Sequence, residues 1–260
     1  KENHIMNELL KMTAHQVKEG KFDKVILAIG SCEAHGQHLA EGCDTIVSYE
    51  LSKQVADRVP GMLVLPPITV GYSGHYDTFP FTLTFDYETM IHVIYDIVES
   101  VLRNGINKIF LMNGHDGNIA PIEIAARKIK EKYPDARIAS LPEWWVIAGK
   151  LVPEGTFAVW NGLGHAGEGE TSIAYHLFPQ WCEPDQATCV VPDHLPEHVD
   201  IKWDFAEITD TAQTGDATVA TAAKGKLMND CLVEAVVKDI EALEKTGWNY
   251  NTSHCATKLK

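Results

Sequence analysis

An α/β fold built on a mainly parallel sheet is what this sequence predicts, and three observations lead there. Short apolar runs at 24–29, 62–65 and 109–112 each end in a polar or Gly/Pro-containing turn. Stretches of helical periodicity separate them, and such alternation places helices on both faces of a parallel sheet. The runs are continuous rather than alternating, as suits strands covered on both faces.

Taken in order, residues 1–20 show helical spacing, with Leu9, Leu10 and Met12 near Val17. The first strand, 24–29, is followed by the loop 30–44, which reads GSCEAHGQHLAEGCD. A helix is predicted over 48–59 from Leu51, Val55 and Val59, stopped by Pro60-Gly61. The second strand, 62–65, ends at Pro66-Pro67. The segment 68–84 is a long loop rich in glycine and aromatics that carries His75, Tyr76 and Asp77; loops of that length inside a compact chain are often functional. Residues 87–104 carry one apolar stripe, Met90, Val93, Ile94, Ile97, Val98, Val101 and Leu102, and so form a helix. Strand 109–112 leads into NGHDGN (113–118), where Asn118 is suited to cap a helix over 119–132. A fourth strand is predicted at 137–141 and a short helix at 143–150. The motif GHAGEGETS (164–172) opens a helix at Glu168 or Glu170 that stops before Pro179. Strands or surface excursions are expected from there to Gly225, then a last helix over 226–245. No internal repeat or low-complexity linker interrupts the chain, so one domain over 1–260 is the simpler reading.

The formal net charge of -14 argues against nucleic acid or an anionic membrane surface as partner. No apolar segment approaches the roughly 20 residues of a membrane span, and the first residues lack the apolar core of a signal peptide. Six scattered cysteines without a CxxC pair read as reduced thiols of a cytoplasmic protein.

The chemistry concentrates at three motifs. Glu33 and His35 are two residues apart, so in extended backbone both face the same side, and Asp44 can return across a loop made pliable by Gly36 and Gly42. Carboxylates and imidazoles after a core strand are the makings of a divalent-metal site. The bland alternative is a solvated polar loop. His115 sits between Gly114 and Asp116 at a helix start, as a ligand candidate or a capping histidine. Asn113 or a nearby N–H can hydrogen-bond a substrate carbonyl; a glycine-flanked anion cradle is the alternative. His38, His75, Asn113 and Asp116 are expected to face substrate. His165 with Glu168 and Glu170 crowds a helix entry, where a carboxylate can be the last ligand and His165 can hand a proton to a leaving group. HExxH, GxSxG and the phosphate-loop pattern are all absent.

Together these residues resemble the creatininase (creatinine amidohydrolase) family. The resemblance is carried by Glu33-Ala34-His35-Gly36-Gln37-His38-Leu39 with Asp44, by 113–118, by 165–172, and by Phe79-Pro80 and Thr82 between them. It implies a three-layer α/β/α sandwich with a mainly parallel sheet, two divalent ions (zinc, manganese or iron) per subunit, and a homo-oligomer, often a hexamer. Glu33, His35, Asp44 and His115 then correspond to metal ligands, with Asp44 bridging, and His165 to the catalytic histidine. Two departures stand out. Creatininase has a Glu ligand two residues after the histidine of NGH, where this chain has Gly117. The NGHxGN form resembles the archaeal formamidopyrimidine deformylase and mycofactocin peptidase branches. Glu170 is therefore expected to supply the carboxylate, as ligand and catalytic group, with Glu168 as second choice. Asn161-Gly162-Leu163-Gly164 replaces the residues that enclose creatinine, which argues against that substrate; Trp144 is expected to remain as a pocket aromatic.

The function expected is metal-dependent hydrolysis of a cyclic amide, or a formamide or other amide, of a small polar molecule, at carbon–nitrogen bonds other than peptide bonds. Metal ions would activate water and polarise the carbonyl. Hydrolytic opening of a keto-inositol ring is an alternative. From another class comes a non-catalytic metal- or sugar-binding module.

Overall fold

Strand β1 (Lys24–Ile29) is the hub of the fold, with all six residues buried. It runs parallel to β2 (Met62–Val64) on one side and to β3 (Lys108–Asn113) on the other. A fourth strand, β4 (Arg137–Leu141), gives the order β2-β1-β3-β4 with every pairing parallel. The computed structural model describes residues 7–193, 198 and 201–249.

Alternation along the strands divides the core in two. Val25, Leu27 and Ile29 join Ile109 and Leu111 beneath α3 (Tyr87–Arg103) and α4 (Ile119–Lys132). Ile26, Phe110 and Met112 point the other way, against α2 (Cys43–Arg58), α5 (Trp144–Leu151), α6 (Glu168–Leu177) and α7 (Ala222–Lys245). The result is the three-layer α/β/α arrangement with a parallel sheet. Each strand aliphatic buried in this way contributes roughly 1.5–3 kcal/mol relative to exposure. Continuous apolar strands were readable because both faces are covered.

Several boundaries differ from the expectation. Helix α2 starts at Cys43 rather than near residue 48, behind Gly42 as N-cap, so Asp44 lies in a first helical turn and not on a returning loop. Its first turn mixes Asp44 and Thr45, which serve the site and its loop, with Cys43 and Ile46 on the core side, so no regular apolar stripe is evident before Val47. Asn118 occupies the N-cap position of α4, but its side chain makes no capping hydrogen bond. Its side chain instead accepts from Tyr72 N at 3.0 Å and donates to Gly30 O at 3.0 Å, tying three loops together. Helix α7 starts four residues earlier than read, at Ala222, with the Thr221 side chain accepting from Lys224 N. Of the N-terminal helix read over 1–20, the described part is a 3-10 turn at Leu9–Lys11 and α1 (Ala14–Glu19), while residues 1–6 lie outside the described residues. Between α6 and α7 the described chain forms short 3-10 turns and a two-stranded antiparallel pair, β5 (Cys189–Val190) with β6 (Gly215–Asp216).

Helices α6 and α7 cross closely because Gly225 has no side chain. A Cβ there would lie 1.8 Å from Ser172 O. Gly225→Ala is expected to destabilise the protein by about 1–3 kcal/mol through overpacking, read as a lower denaturant midpoint; an unchanged midpoint would contradict this contact.

Candidate metal centre

The carboxyl ends of β1 and β3 open onto one cluster, where ligands of open parallel sheets bind. The segment after β1 delivers Glu33 and His35, and the turn after β3 delivers His115. Helix α2 brings Asp44 across its first turn. All four are buried, at 0, 0, 3 and 2% exposure for Glu33, His35, His115 and Asp44. Gly114 permits this approach, since a Cβ there would sit 2.3 Å from Asp44 O.

Asp44 lies at the middle. Its Oδ1 is 2.9 Å from His35 Nε2, and its Oδ2 is 3.1 Å from His115 Nδ1. Ser31 Oγ donates to Oδ2 at 2.7 Å and fixes the carboxylate's rotation. Glu33 Oε1 is 3.2 Å from His115 Nδ1 and 3.9 Å from His165 Nδ1.

The far nitrogen of each imidazole determines what the near one can do. His35 Nδ1 donates to Glu33 O at 3.0 Å, His115 Nε2 to Tyr72 O at 2.8 Å, and His165 Nε2 to Ala34 O at 2.7 Å. A carbonyl only accepts, so each far nitrogen carries the proton. In neutral rings the near nitrogens therefore present lone pairs to carboxylates. That arrangement is repulsive unless a cation lies between them. Both Glu33 oxygens are moreover buried without a hydrogen-bond donor, a costly state for an unpaired carboxylate.

Without metal, protons take the cation's part. Burial opposes charge on His35, but the Asp44 carboxylate overrides it and pushes the imidazole up to about 10. His115 is likewise held well above its usual value, against burial, by Glu33 and Asp44. Burial opposes the charge on Asp44 as well, but the two imidazoles keep its carboxyl well below the usual range. Among the described residues, three donor groups have ligand atoms within 4.8 Å of one another: Glu33/Asp44/His115, His35/Cys43/Asp44 and Glu33/His35/His165. Oriented imidazoles, orphaned carboxylate oxygens and mixed N/O donors fit a divalent metal.

Beside the cluster is a cavity of about 320 Å³ lined by Asp44, Tyr76, His115, Asp116, Trp145, His165, Glu170 and Phe205, among others. Glu170 Oε2 accepts from Ala166 N at 2.7 Å, and burial pushes its carboxyl up to about 7. Glu168 faces elsewhere, accepting from Ala158 N and pairing with Lys224. His165 is held neutral, down to about 3, by burial and by the charge on His35.

Other expected substrate contacts are placed differently. Trp144 is a correction: it is 0% exposed in the core, and Trp145 lines the cavity instead. Adjacent positions on a helix point about 100° apart, so only one of the pair can face the site. Asn113 is also spent internally, donating to His115 O at 2.7 Å and Pro142 O at 2.8 Å while accepting from His115 N. It positions His115. His38 is buried with Nε2 2.8 Å from Thr171 Oγ1 and is absent from the cavity lining. His75 stacks on His115 at 5.9 Å, and Asp116 lines the cavity. Sequence reading named Tyr76 in the functional loop without giving it a role and missed Phe205; they stand 4.5 and 5.1 Å from the His165 ring. The aromatic loop after β2 was a signal for Tyr76; Phe205 lies in a segment without periodicity.

An α/β sandwich with a buried carboxylate–imidazole cluster at the carboxyl ends of its two central strands is an arrangement suited to holding a divalent metal. The family model for creatininase (creatinine amidohydrolase) matches residues 10–240, and the chain belongs to that family. The creatinine amidohydrolase of Pseudomonas putida is 28% identical over 231 residues, covering 83% of this chain and 88% of the relative. The mycofactocin precursor peptide peptidase of Mycobacterium ulcerans is 26% identical over 243 residues, covering 88% and 90%. The solved structure "Creatininase Mn" superposes with a TM-score of 0.76 at 26% identity, covering 91% of this chain and 98% of that one. A mutant creatininase of "Zn-Zn type" gives 0.75 at 27%, covering 90% and 97%.

The raised imidazole values make metal-free stability depend on pH. Stabilisation from protonated His35 is complete below the unfolded value of about 6.5 and is lost as pH rises toward about 10. The melting temperature of chelator-treated protein is expected to fall across that window, and His35→Gln to flatten the fall; equal slopes for both proteins would rule the linkage out.

Proposed function

We propose that the protein is a two-metal hydrolase that cleaves the carbon–nitrogen bond of a cyclic amide, formamide or other amide in a small polar molecule. The carrying observation is the orphaned Glu33 carboxylate facing imidazole lone pairs beside a small cavity. Glu33, Asp44 and His115 would hold one ion, and His35 with Asp44 would take part in holding the other. Zinc, manganese and iron all suit such donors. When bound, divalent ions polarise a carbonyl and make water a competent nucleophile near neutral pH.

The chain's own groups do the rest. Glu170, with one oxygen fixed by Ala166 N, takes a proton on the other from the attacking water and returns it to the leaving nitrogen. His165, donating through Nε2 to Ala34 O, keeps its Nδ1 lone pair to orient that water. Tyr76 and Phe205, 4.6 Å apart, cover His165 and exclude bulk solvent. Asp116 at the cavity wall favours polar or cationic substrates.

Likeness to mycofactocin precursor peptide peptidases favours a second reading, in which the amide is a peptide bond of a short peptide. Among the described residues no helix is long and apolar enough to cross a membrane. We expect one domain over the whole chain, acting in the cytoplasm as a homo-oligomer, with subunit number read by light scattering.

Metal-loaded protein assayed on cyclic amides, formamides, short peptides and keto-inositols separates the substrate classes. Glu33→Gln is expected to lose bound metal with unchanged circular dichroism. Glu170→Gln should lower turnover about 10²–10⁴-fold, the usual worth of a proton-transfer group. Full metal content in Glu33→Gln would overturn the ligand assignment.

A further inference from the structure

A hydroxyl without a partner stands in the wall of the site cavity. Tyr76 ends the 3-10 turn Gly74–Tyr76 and is 5% exposed. It lines the cavity together with Asp44, His115, His165 and Glu170. Among the described residues its phenol oxygen has no hydrogen-bond partner, nor is it sealed away as the Glu33 oxygens are. On a side chain otherwise buried, that leaves the hydroxyl open to the cavity. Buried tyrosine hydroxyls ordinarily find a partner, so an open one beside reaction groups is a donor available to a ligand.

The ring is held so that the hydroxyl cannot turn away. Its centroid lies 4.4 Å from His75, 4.5 Å from His165 and 4.6 Å from Phe205. Its backbone N donates to Ser73 O and its O accepts from Phe79 N, both at 2.9 Å. Rotation of the O–H bond is the freedom left, so engaging it costs little entropy. The hydroxyl also sits among the carboxylates of the site. Burial, and then the charges of Glu33, Glu170, Asp44 and Asp116, hold the phenol well above its usual range, which keeps its proton in place.

Much of the remaining wall offers lone pairs. Asp116 and Glu170 present carboxylates, while His165 and His115 spend their far protons on Ala34 O and Tyr72 O. An amide oxygen is itself an acceptor, and it gains negative charge when the carbonyl is attacked, so it calls for a donor. Trp145 and Thr214 also carry donors in this wall, but Trp145 is only partly buried and Thr214 Oγ1 already accepts from His165 N at 3.0 Å.

We propose that the Tyr76 hydroxyl is the fixed donor to the substrate's carbonyl oxygen, its hydrogen bond strengthening as charge develops there. The inference deepens the two-metal hydrolase reading above and rests on it. Tyr76 keeps its proton throughout, while Glu170 carries the water's proton to the leaving nitrogen.

The zinc-loaded protein is compared with Tyr76→Phe, which keeps the ring and its packing and deletes only the hydroxyl. Tyr49→Phe is the control, since that phenol bonds Glu8 at 3.2 Å and does not line the cavity. Two readouts are taken: steady-state kinetics on the amides turned over, and calorimetric titration with inorganic phosphate, a tetrahedral oxyanion that requires no turnover. Tyr76→Phe is expected to retain its zinc and melting temperature and to lose about 10²–10³-fold in kcat, the usual worth of one oxyanion donor, with KM nearly unchanged. It should bind phosphate about tenfold more weakly, as for loss of a hydrogen bond to a charged group, while Tyr49→Phe matches the unmodified protein in both readouts. A tyrosine that merely walls the cavity would leave both unmoved, because phenylalanine fills the same space. Undiminished turnover in Tyr76→Phe, or phosphate that binds both proteins equally or neither, overturns the Tyr76 assignment and leaves the two-metal reading standing. With no amide turned over, the phosphate titration decides the assignment. Unmodified protein that binds no zinc overturns the two-metal reading itself.

Discussion

A buried carboxylate needs a cation, and Asp44 is where that requirement is concentrated. Its two oxygens face two different imidazoles, His35 and His115, while Ser31 fixes its orientation. Glu33, beside it, has no donor for either oxygen. Removing one partner from such a cluster leaves an uncompensated buried charge, typically at a cost of about 3–5 kcal/mol. The loops around the cluster exist to hold these groups together despite that cost.

The means are backbone carbonyls. Tyr72 O, Ala34 O and Glu33 O each take the far proton of one imidazole and so turn the near nitrogen inward. The long loop after β2 thus earns its length: it supplies the acceptor for His115, and its own course is held by the Asn118 amide. Gly114 and Gly117 let the turn after β3 come within contact of Asp44 and Tyr72. Behind these loops, two apolar cores hold the carboxyl ends of the central strands in place.

Conflict between local and global demands is sharpest at the site. Burial lowers the charge tolerance of every group there, yet mutual pairing keeps Asp44 ionised and His35 charged in the metal-free state. Glu170, less completely paired, is left near 7. One cluster therefore contains groups suited to holding cations and a group suited to moving protons, distinguished by how many opposite charges each one faces.

The strands were legible because Lys24–Ile29 and its neighbours are apolar without interruption, a pattern that covered parallel strands impose. The helix at Tyr87–Arg103 was legible from its single stripe. Glu33, His35, Asp44 and His115 could be singled out because charged residues next to core strands have little other reason to be there. Helix α2 began earlier than read because its first turn interleaves the site residue Asp44 with core-facing Cys43 and Ile46, which breaks the single apolar stripe. The choice between Trp144 and Trp145, the inward turn of each imidazole, the separation of Glu168 from Glu170, and the placement of Cys43 beside His35 were decided by tertiary structure alone. Each depends on a contact with a distant segment, and residues such as Ala34, Tyr72 and Ala166 contribute to those contacts through backbone atoms, which every sequence has and none displays.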